Sequence, residues 1–271
     1  MKIDGQNDKN AQSFTLSNWR TSPYNRLAFS NVNSIIPVAK IKKGEHSKNF
    51  QSKLEDLSSL TFINKYKEEI KLTNFLQKSF SDSFLIIKKG RKIFEWHNDL
   101  SLKNNQHILF SVSKSLTGLL AGLLINKNLL MTNKEITFYI PEVRESAYKN
   151  ATIRNLLDMT VSSNFKEDYL DKTGLFKLYR EATGFNPHSL KNRIGLKEFL
   201  QLIPKSAISH GEKYQYCSPN TDLLGWIIER VTETKFSKLF ANEIYQKCQP
   251  THDAYVTLDH EDSPRTAGGI C

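Results

Sequence analysis

Phe110-Ser111-Val112-Ser113-Lys114-Ser115-Leu116-Thr117-Gly118-Leu119-Leu120 opens the most apolar stretch of the 271-residue chain. Leu116 to Ile125 continues it as one apolar helix, interrupted by Thr117, Gly118 and Gly122 and too short to cross a bilayer. On that helix Ser111 and Lys114, three residues apart, share a face. The bare Ser-x-x-Lys spacing carries no weight, because it recurs at Ser146 and Ser163, about as often as chance gives. Context separates Ser111. A lysine one turn into an apolar helix is driven inward, and a buried ammonium without a partner tends to lose its proton. A neutral amine beside a hydroxyl can take its proton, while the helix N-terminus offers N–H groups and partial positive charge to a developing oxyanion. The competing reading makes Ser111 a helix cap and lets Lys114 reach solvent along its stem; the helix alone does not choose between them.

Further along, Tyr214-Gln215-Tyr216-Cys217-Ser218-Pro219-Asn220-Thr221-Asp222 carries a second signal. Ser218 followed by Pro219 reads as a helix start, with the serine as N-cap and the proline in the first turn. Tyr216 therefore sits in the loop before a helix. Aimed into a cleft beside a lysine, it could relay protons to a leaving group; packed under the loop, it would be an ordinary aromatic.

Outward from these segments, residues 1–50 are polar with little periodicity, and Trp19, Tyr24, Leu27, Phe29, Ile35 and Ile36 read as anchors of a segment wrapping over a domain. Leu54, Leu57, Leu60, Ile63, Tyr66, Ile70 and Phe75 recur at three- and four-residue intervals, so 53–80 reads as a helix. Phe84–Ile87 and Lys92–Trp96 flank Lys88-Lys89-Gly90-Arg91, an antiparallel hairpin whose turn uses Gly90. After Pro141, helical pieces separated by loops run to about residue 248.

The net charge of +10 raises a nucleic-acid interface as one reading. Lys and Arg outnumber Asp and Glu by 17 to 10 in residues 1–100 and by 21 to 18 in the rest. The excess is lysine-dominated and scattered, as at Lys40, Lys42, Lys65 and Lys71, which fits a solvated face and no nucleic-acid partner. No apolar run suits a membrane span or a secretory leader, and Cys217, Cys248 and Cys271 show no Cys-x-x-Cys spacing; a cytoplasmic address is the expectation. Phosphate-loop, dinucleotide and His-Glu-x-x-His patterns are absent. His252-Asp253 and Asp259-His260-Glu261-Asp262 read as exposed loop rather than metal ligands, and no cofactor is expected.

Taken together, Phe110 to Ser115, Tyr139-Ile140-Pro141-Glu142, Thr152-Ile153-Arg154-Asn155-Leu156-Leu157-Asp158-Met159-Thr160 and the segment Tyr216 to Trp226 resemble the serine hydrolases related to class C β-lactamases and penicillin-binding DD-peptidases. Asn18-Trp19-Arg20, Pro23-Tyr24-Asn25-Arg26 and Gly268-Gly269 look most like the 6-aminohexanoate-dimer hydrolase branch. The resemblance implies an α+β fold, a sandwich of helices on an antiparallel sheet with a helical insertion. It would divide the chain into a wrapping extension (1–52), an α/β part (53–140 and 249–271) and a mainly helical part (141–248). Ser111 would be the nucleophile, Lys114 its general base and Tyr216 the second proton-handling residue, acting on a small amide or ester without a metal. A β-lactam or D-Ala peptide is the alternative substrate class. Tyr169, in a Glu167-Asp168-Tyr169 stretch similar to one lining the branch's cleft, would contact substrate together with Asp168 and Asn220.

Two departures from the pattern matter. Val161-Ser162-Ser163 stands where relatives place a glycine after the Met-Thr pair, which bears on the shape of a cleft loop. The chain also stops at Ala267-Gly268-Gly269-Ile270-Cys271, where relatives continue into further strands, a third motif and a second oxyanion donor. The expectation is therefore a C-terminally incomplete sheet. Its partner would be a separately encoded segment or a second copy, and the alternative function is a non-catalytic member of the same fold.

Overall fold

The apolar run becomes a 15-residue helix, α3, and the rest of the architecture is arranged around it. The computed structural model describes residues 13–98, 105–189 and 193–271. In chain order these form α1 (Asn25–Ala28), β1 (Val38–Ile41), β2 (Gln51–Ser52), β3 (Thr61–Ile63), β4 (Glu69–Lys71), α2 (Leu72–Lys78), β5 (Ser83–Lys88), β6 (Arg91–His97) and α3 (Val112–Asn126). There follow α4 (Ile136–Tyr139), α5 (Ile153–Leu157), α6 (Leu175–Ala182), α7 (Leu196–Gln201), α8 (Ser218–Thr232), α9 (Phe236–Phe240) and β7 (Ala254–Thr257). Helices pack on open antiparallel and mixed sheets, an α+β sandwich.

β1 pairs antiparallel with β7, from Val38 opposite Thr257 to Ile41 opposite Ala254. The N-terminal segment thus contributes a strand as well as a wrap: Trp19 and Ile36 are buried, whereas Leu27 is exposed and anchors nothing. Ile41 and Val256 face Leu120, Ala121 and Leu124 of α3 and Leu223 and Ile227 of α8 in one core. A second core joins Trp19, Ile36 and Ile108 to Phe185, Tyr255 and Cys271. The last residues return along β7, where Tyr255 and Cys271 exchange backbone hydrogen bonds (3.1 and 2.9 Å) and Leu109 N–H donates to the Ile270 carbonyl (2.9 Å).

β5 and β6 form the expected hairpin, and Lys89 (φ 49°) and Gly90 (φ 71°) turn it with two left-handed residues, the geometry that matches strand twist. The helix expected over 53–80 is not there. β3 and β4 pair antiparallel instead, and only Leu72–Lys78 is helical. Within the turn, Asn64 Oδ1 accepts from Tyr66 N–H (2.8 Å) and Glu68 N–H (3.0 Å), and Lys67 has φ 63°. An asparagine side chain that bonds the backbone locally competes with helix. The periodic Leu54, Leu60, Ile63 and Tyr66 meet no core and stay exposed, so a helix would have gained nothing from their stripe.

α3 itself is less enclosed than its composition suggests. Ser113, Thr117, Leu120, Ala121 and Leu124 are buried, but Val112 and Leu119 are exposed and Lys114 is half-buried. Asp259, expected on an exposed loop, is buried. Its carboxylate accepts from the N–H groups of Leu196 (2.7 Å), Ser263 (2.8 Å) and Glu261 (2.9 Å), so it caps α7 and shapes the turn after β7. Among the described residues no helix is long and apolar enough to cross a membrane.

Candidate active site

The chain enters α3 through Phe110, whose φ of 44° is a left-handed conformation that a bulky residue adopts only when its surroundings hold it. An aromatic clamp does so. The Phe110 ring stacks on Trp19 (centroids 6.0 Å apart, planes at 17°) and meets Phe29 edge-on (5.0 Å). Ser111, at the N-cap position, makes no side-chain cap bond. Its Oγ instead accepts from Lys114 Nζ (2.9 Å) and from Tyr216 OH (2.8 Å), which arrives from 105 residues away. The Lys114 amine also lies 5.0 Å from the centre of the Tyr216 ring.

Lys114 Nζ has one more partner, the Ala267 carbonyl oxygen at 2.8 Å. That carbonyl is held by a buried relay. Asp222 Oδ1 accepts from Ala267 N–H (2.7 Å), while Asp222 Oδ2 accepts from Tyr179 OH (2.6 Å) and from the Arg265 guanidinium. Burial opposes the charge on Arg265, yet Asp222 more than compensates and holds that guanidinium protonated. Thr117 Oγ1 donates to the Thr266 carbonyl (3.0 Å) and Ile270 N–H donates to Ser113 Oγ (3.2 Å), so residues 265–270 are tied to α3 along its first two turns.

Tyr216 is positioned by the start of α8. The helix begins at Ser218, with Pro219 in its first turn, but its cap comes from far off in sequence rather than from a serine N-cap. Glu167 Oε2 accepts from Ser218 N–H and Oε1 from Ser218 Oγ, both at 2.8 Å, and Oε1 also accepts from Tyr169 OH (2.7 Å). A carboxylate suits a helix N-terminus because that end carries orphan N–H groups and partial positive charge. One residue thereby fixes the Tyr216 loop and orients Tyr169.

Ser111 and Lys114 open on a cavity of about 870 Å³, whose walls include Tyr169, Phe176, Phe185 and Gly268. Of the residues expected to meet substrate, Tyr169 lies on this wall. Asp168 does not: it is exposed and its carboxylate accepts from Leu170 N–H (2.9 Å), closing a local turn. Asn220 is buried inside α8 with its amide against Met159 Sδ (3.9 Å), so Ser218 and Glu167 take the places on the wall that Asn220 and Asp168 were expected to fill. Asp222, Arg265 and Ala267 were not singled out in the sequence, where an aspartate one turn into a helix and an arginine in a polar tail carry no local signature. Glu167 was legible only as a neighbour of Tyr169.

Ser111 N–H has no acceptor among the described residues, whereas Gly268 and Gly269 N–H both donate to the Arg265 carbonyl (3.3 and 2.8 Å). The Ser111 N–H at the mouth of α3 can serve as one of the two donors a usual oxyanion hole has.

The chain is 28% identical over 256 residues to the 6-aminohexanoate-dimer hydrolase of Paenarthrobacter ureafaciens, a match covering 94% of this chain and 63% of that protein. A solved Bacillus anthracis protein assigned as a 6-aminohexanoate-dimer hydrolase superposes with a TM-score of 0.87 at 21% identity, over 94% of this chain and 67% of its own. A class C β-lactamase shares the fold more distantly, with a TM-score of 0.51 at 17% identity, over 73% of this chain and 58% of its own. The chain therefore spans less than two thirds of the length of the curated relative it matches over nearly its whole extent. The Beta-lactamase family model matches residues 74–270, which include Ser111, Lys114, Glu167, Tyr216 and Ala267, whose carbonyl holds the Lys114 amine, and on that match the chain belongs to the Beta-lactamase family.

Proposed function

We propose that the chain carries the acylating machinery of a serine hydrolase for small amides or esters, with Ser111 as nucleophile. The observation that carries this reading is the convergence of the Lys114 amine and the Tyr216 hydroxyl on Ser111 Oγ, at 2.9 and 2.8 Å. In the unprotonated form Lys114 takes the Ser111 proton as Oγ bonds to the substrate carbonyl carbon. Ser111 N–H faces the oxygen on which negative charge develops. Tyr216 passes a proton to the departing nitrogen or oxygen as the C–N or C–O bond breaks, and water then releases the acyl group from Ser111 by the reverse proton path. The name of the Paenarthrobacter ureafaciens relative, a hydrolase of the 6-aminohexanoate dimer, supports an amide as the substrate type. An apolar cavity wall beside a few fixed polar groups is what a small acyl substrate requires.

Labelling with a fluorophosphonate that phosphonylates reactive serines tests the reading directly. The full chain should label at Ser111, Ser111→Ala should not label, and Lys114→Met should remain folded while labelling at least about 100-fold more slowly. Tyr216→Phe should fall between the two, because it leaves the amine in place. Undiminished labelling of Lys114→Met would remove the lysine as base. No labelling of the unaltered chain would favour a non-catalytic binding protein of this fold.

A further inference from the structure

Six lysine and arginine side chains line the cavity against two carboxylates, and both carboxylates are engaged. Glu167 is occupied with Ser218 and Tyr169, and Glu181 with Lys177 (2.9 Å) and Ser189. Arg265 is neutralised by Asp222. Arg20 and Arg180 are different: among the described residues neither forms an ion pair. The Arg20 guanidinium donates to the Asn186 side-chain oxygen and the Phe185 carbonyl, and Arg180 donates to the carbonyls of Tyr169 (2.9 Å) and Asp168 (3.5 Å). These acceptors are neutral amide oxygens that orient a guanidinium without balancing its charge. The Nε–H of each arginine is buried and has no acceptor among the described residues. Burial first, then repulsion from Arg180 and Arg265, lower Arg20 to about 10, which is the behaviour of a cation lacking a counter-ion. Asp171, Asp168 and Glu167 act on Arg180 electrostatically and partly offset the effect of its burial, but among the described residues none is its salt-bridge partner.

We propose that Arg20 and Arg180 form an anion subsite, selecting substrates whose acyl group ends in a carboxylate. Two guanidiniums that line one cavity, already oriented by protein carbonyls and lacking an ion-pair partner among the described residues, match a planar anion that accepts several N–H bonds. Phe29, Phe110 and Phe185 line the same cavity as the two cations and Ser111, and provide apolar surface for a short methylene chain joining that carboxylate to the scissile carbonyl. The inference rests on the reading of Ser111 as nucleophile, so its test has one arm that needs no catalysis.

In that arm, glutarate and the uncharged glutaramide are titrated calorimetrically into the 271-residue Ser111→Ala chain. Glutarate should bind at least about tenfold more tightly than glutaramide, and Arg20→Gln or Arg180→Gln should each remove most of that difference. Arg20→Lys, which keeps the charge and loses the fork, should retain part of it. In the catalytic arm, mono-p-nitrophenyl glutarate, p-nitrophenyl pentanoate and the ester of 5-aminopentanoate are compared on the chain with Ser111 intact. The kcat/KM order should be anionic over neutral over cationic, and the ratio should collapse in either arginine variant. Equal binding of glutarate and glutaramide, binding indifferent to both arginines, or failure of folded protein to bind either compound overturns the subsite. Glutarate binding to Ser111→Ala with no ester turnover by the chain with Ser111 intact would overturn the hydrolase reading and leave the subsite standing.

Discussion

At Ser111 one oxygen accepts two hydrogen bonds from groups of different basicity, and the lysine among them is not in the core. Lys114 is half-buried, its stem lies along α3, and its amine is fixed by the Ala267 carbonyl and the face of the Tyr216 ring. What holds this amine in place is therefore coordination by protein groups rather than enclosure in apolar surroundings. Glu181, a buried carboxylate on the cavity wall, makes a residue-scale prediction about pH. Burial would raise its pKa, but the bonds from Lys177 and Ser189 outweigh this and hold it below the ordinary glutamate value of 4.5. The native state then binds fewer protons than the unfolded chain between the lowered value and 4.5. Its stabilising contribution is complete above that window and is lost as pH falls through it. Urea midpoints for the unaltered chain and Glu181→Gln, taken from pH 7 down to pH 3, should converge on acidification; a constant gap would show that the Glu181 charge contributes nothing.

Between elements, the decisive contact is the approach of α8 to the segment 265–270. A Cβ at Gly225 would collide with the Thr266 side chain, so only glycine lets the helix lie this close. The same approach brings Asp222 onto Ala267 N–H and so sets the carbonyl that holds Lys114. Gly225→Ala should cost about 1–3 kcal/mol through overpacking. It should also slow Ser111 labelling beyond what the residual folded fraction explains, because the relay shifts with the helix. An unchanged urea midpoint and labelling rate together would show that the contact relaxes freely. The β3–β4 hairpin makes the opposite point: Leu60, Ile63 and Tyr66 fall at helical intervals but stay exposed, and the local bonds of Asn64 decide its conformation.

Over the whole molecule, two cores share the β1–β7 pair, with Ile41 and Val256 in one and Val38 and Tyr255 in the other. The larger holds α3, α8 and the β1–β7 sheet, while the smaller is built on Trp19 and closed by Phe185 and Cys271. Trp19 Nε1 donates to the Phe185 carbonyl (3.0 Å), which ties the N-terminal segment to the residue that also receives Arg20. Trp19→Ala should therefore cost about 3–5 kcal/mol and release the left-handed Phe110 with it. Stability measured in urea should fall together with Ser111 reactivity measured under strongly folding conditions. A folded Trp19→Ala protein that labels at the original rate would separate the clamp from the site.

The sequence by itself determined the elements whose cause is local or whose pattern is continuous. The apolar run forms α3, the Ser218-Pro219 pair begins α8, and the two-residue Lys89-Gly90 turn folds the β5–β6 hairpin. It also singled out Ser111, Lys114 and Tyr216, through helical spacing, a loop position and the resemblance of their flanking residues. Tertiary structure alone decided what surrounds them. Glu167 caps a helix 51 residues away, Asp222 holds Ala267 across 45, and Arg20 and Arg180 face one cavity from opposite halves of the chain. A charged side chain in sequence is equally a solvated surface group or a buried partner. Which one it becomes depends on desolvation and on the acceptors that folding brings to it, and neither quantity exists until the helices have packed.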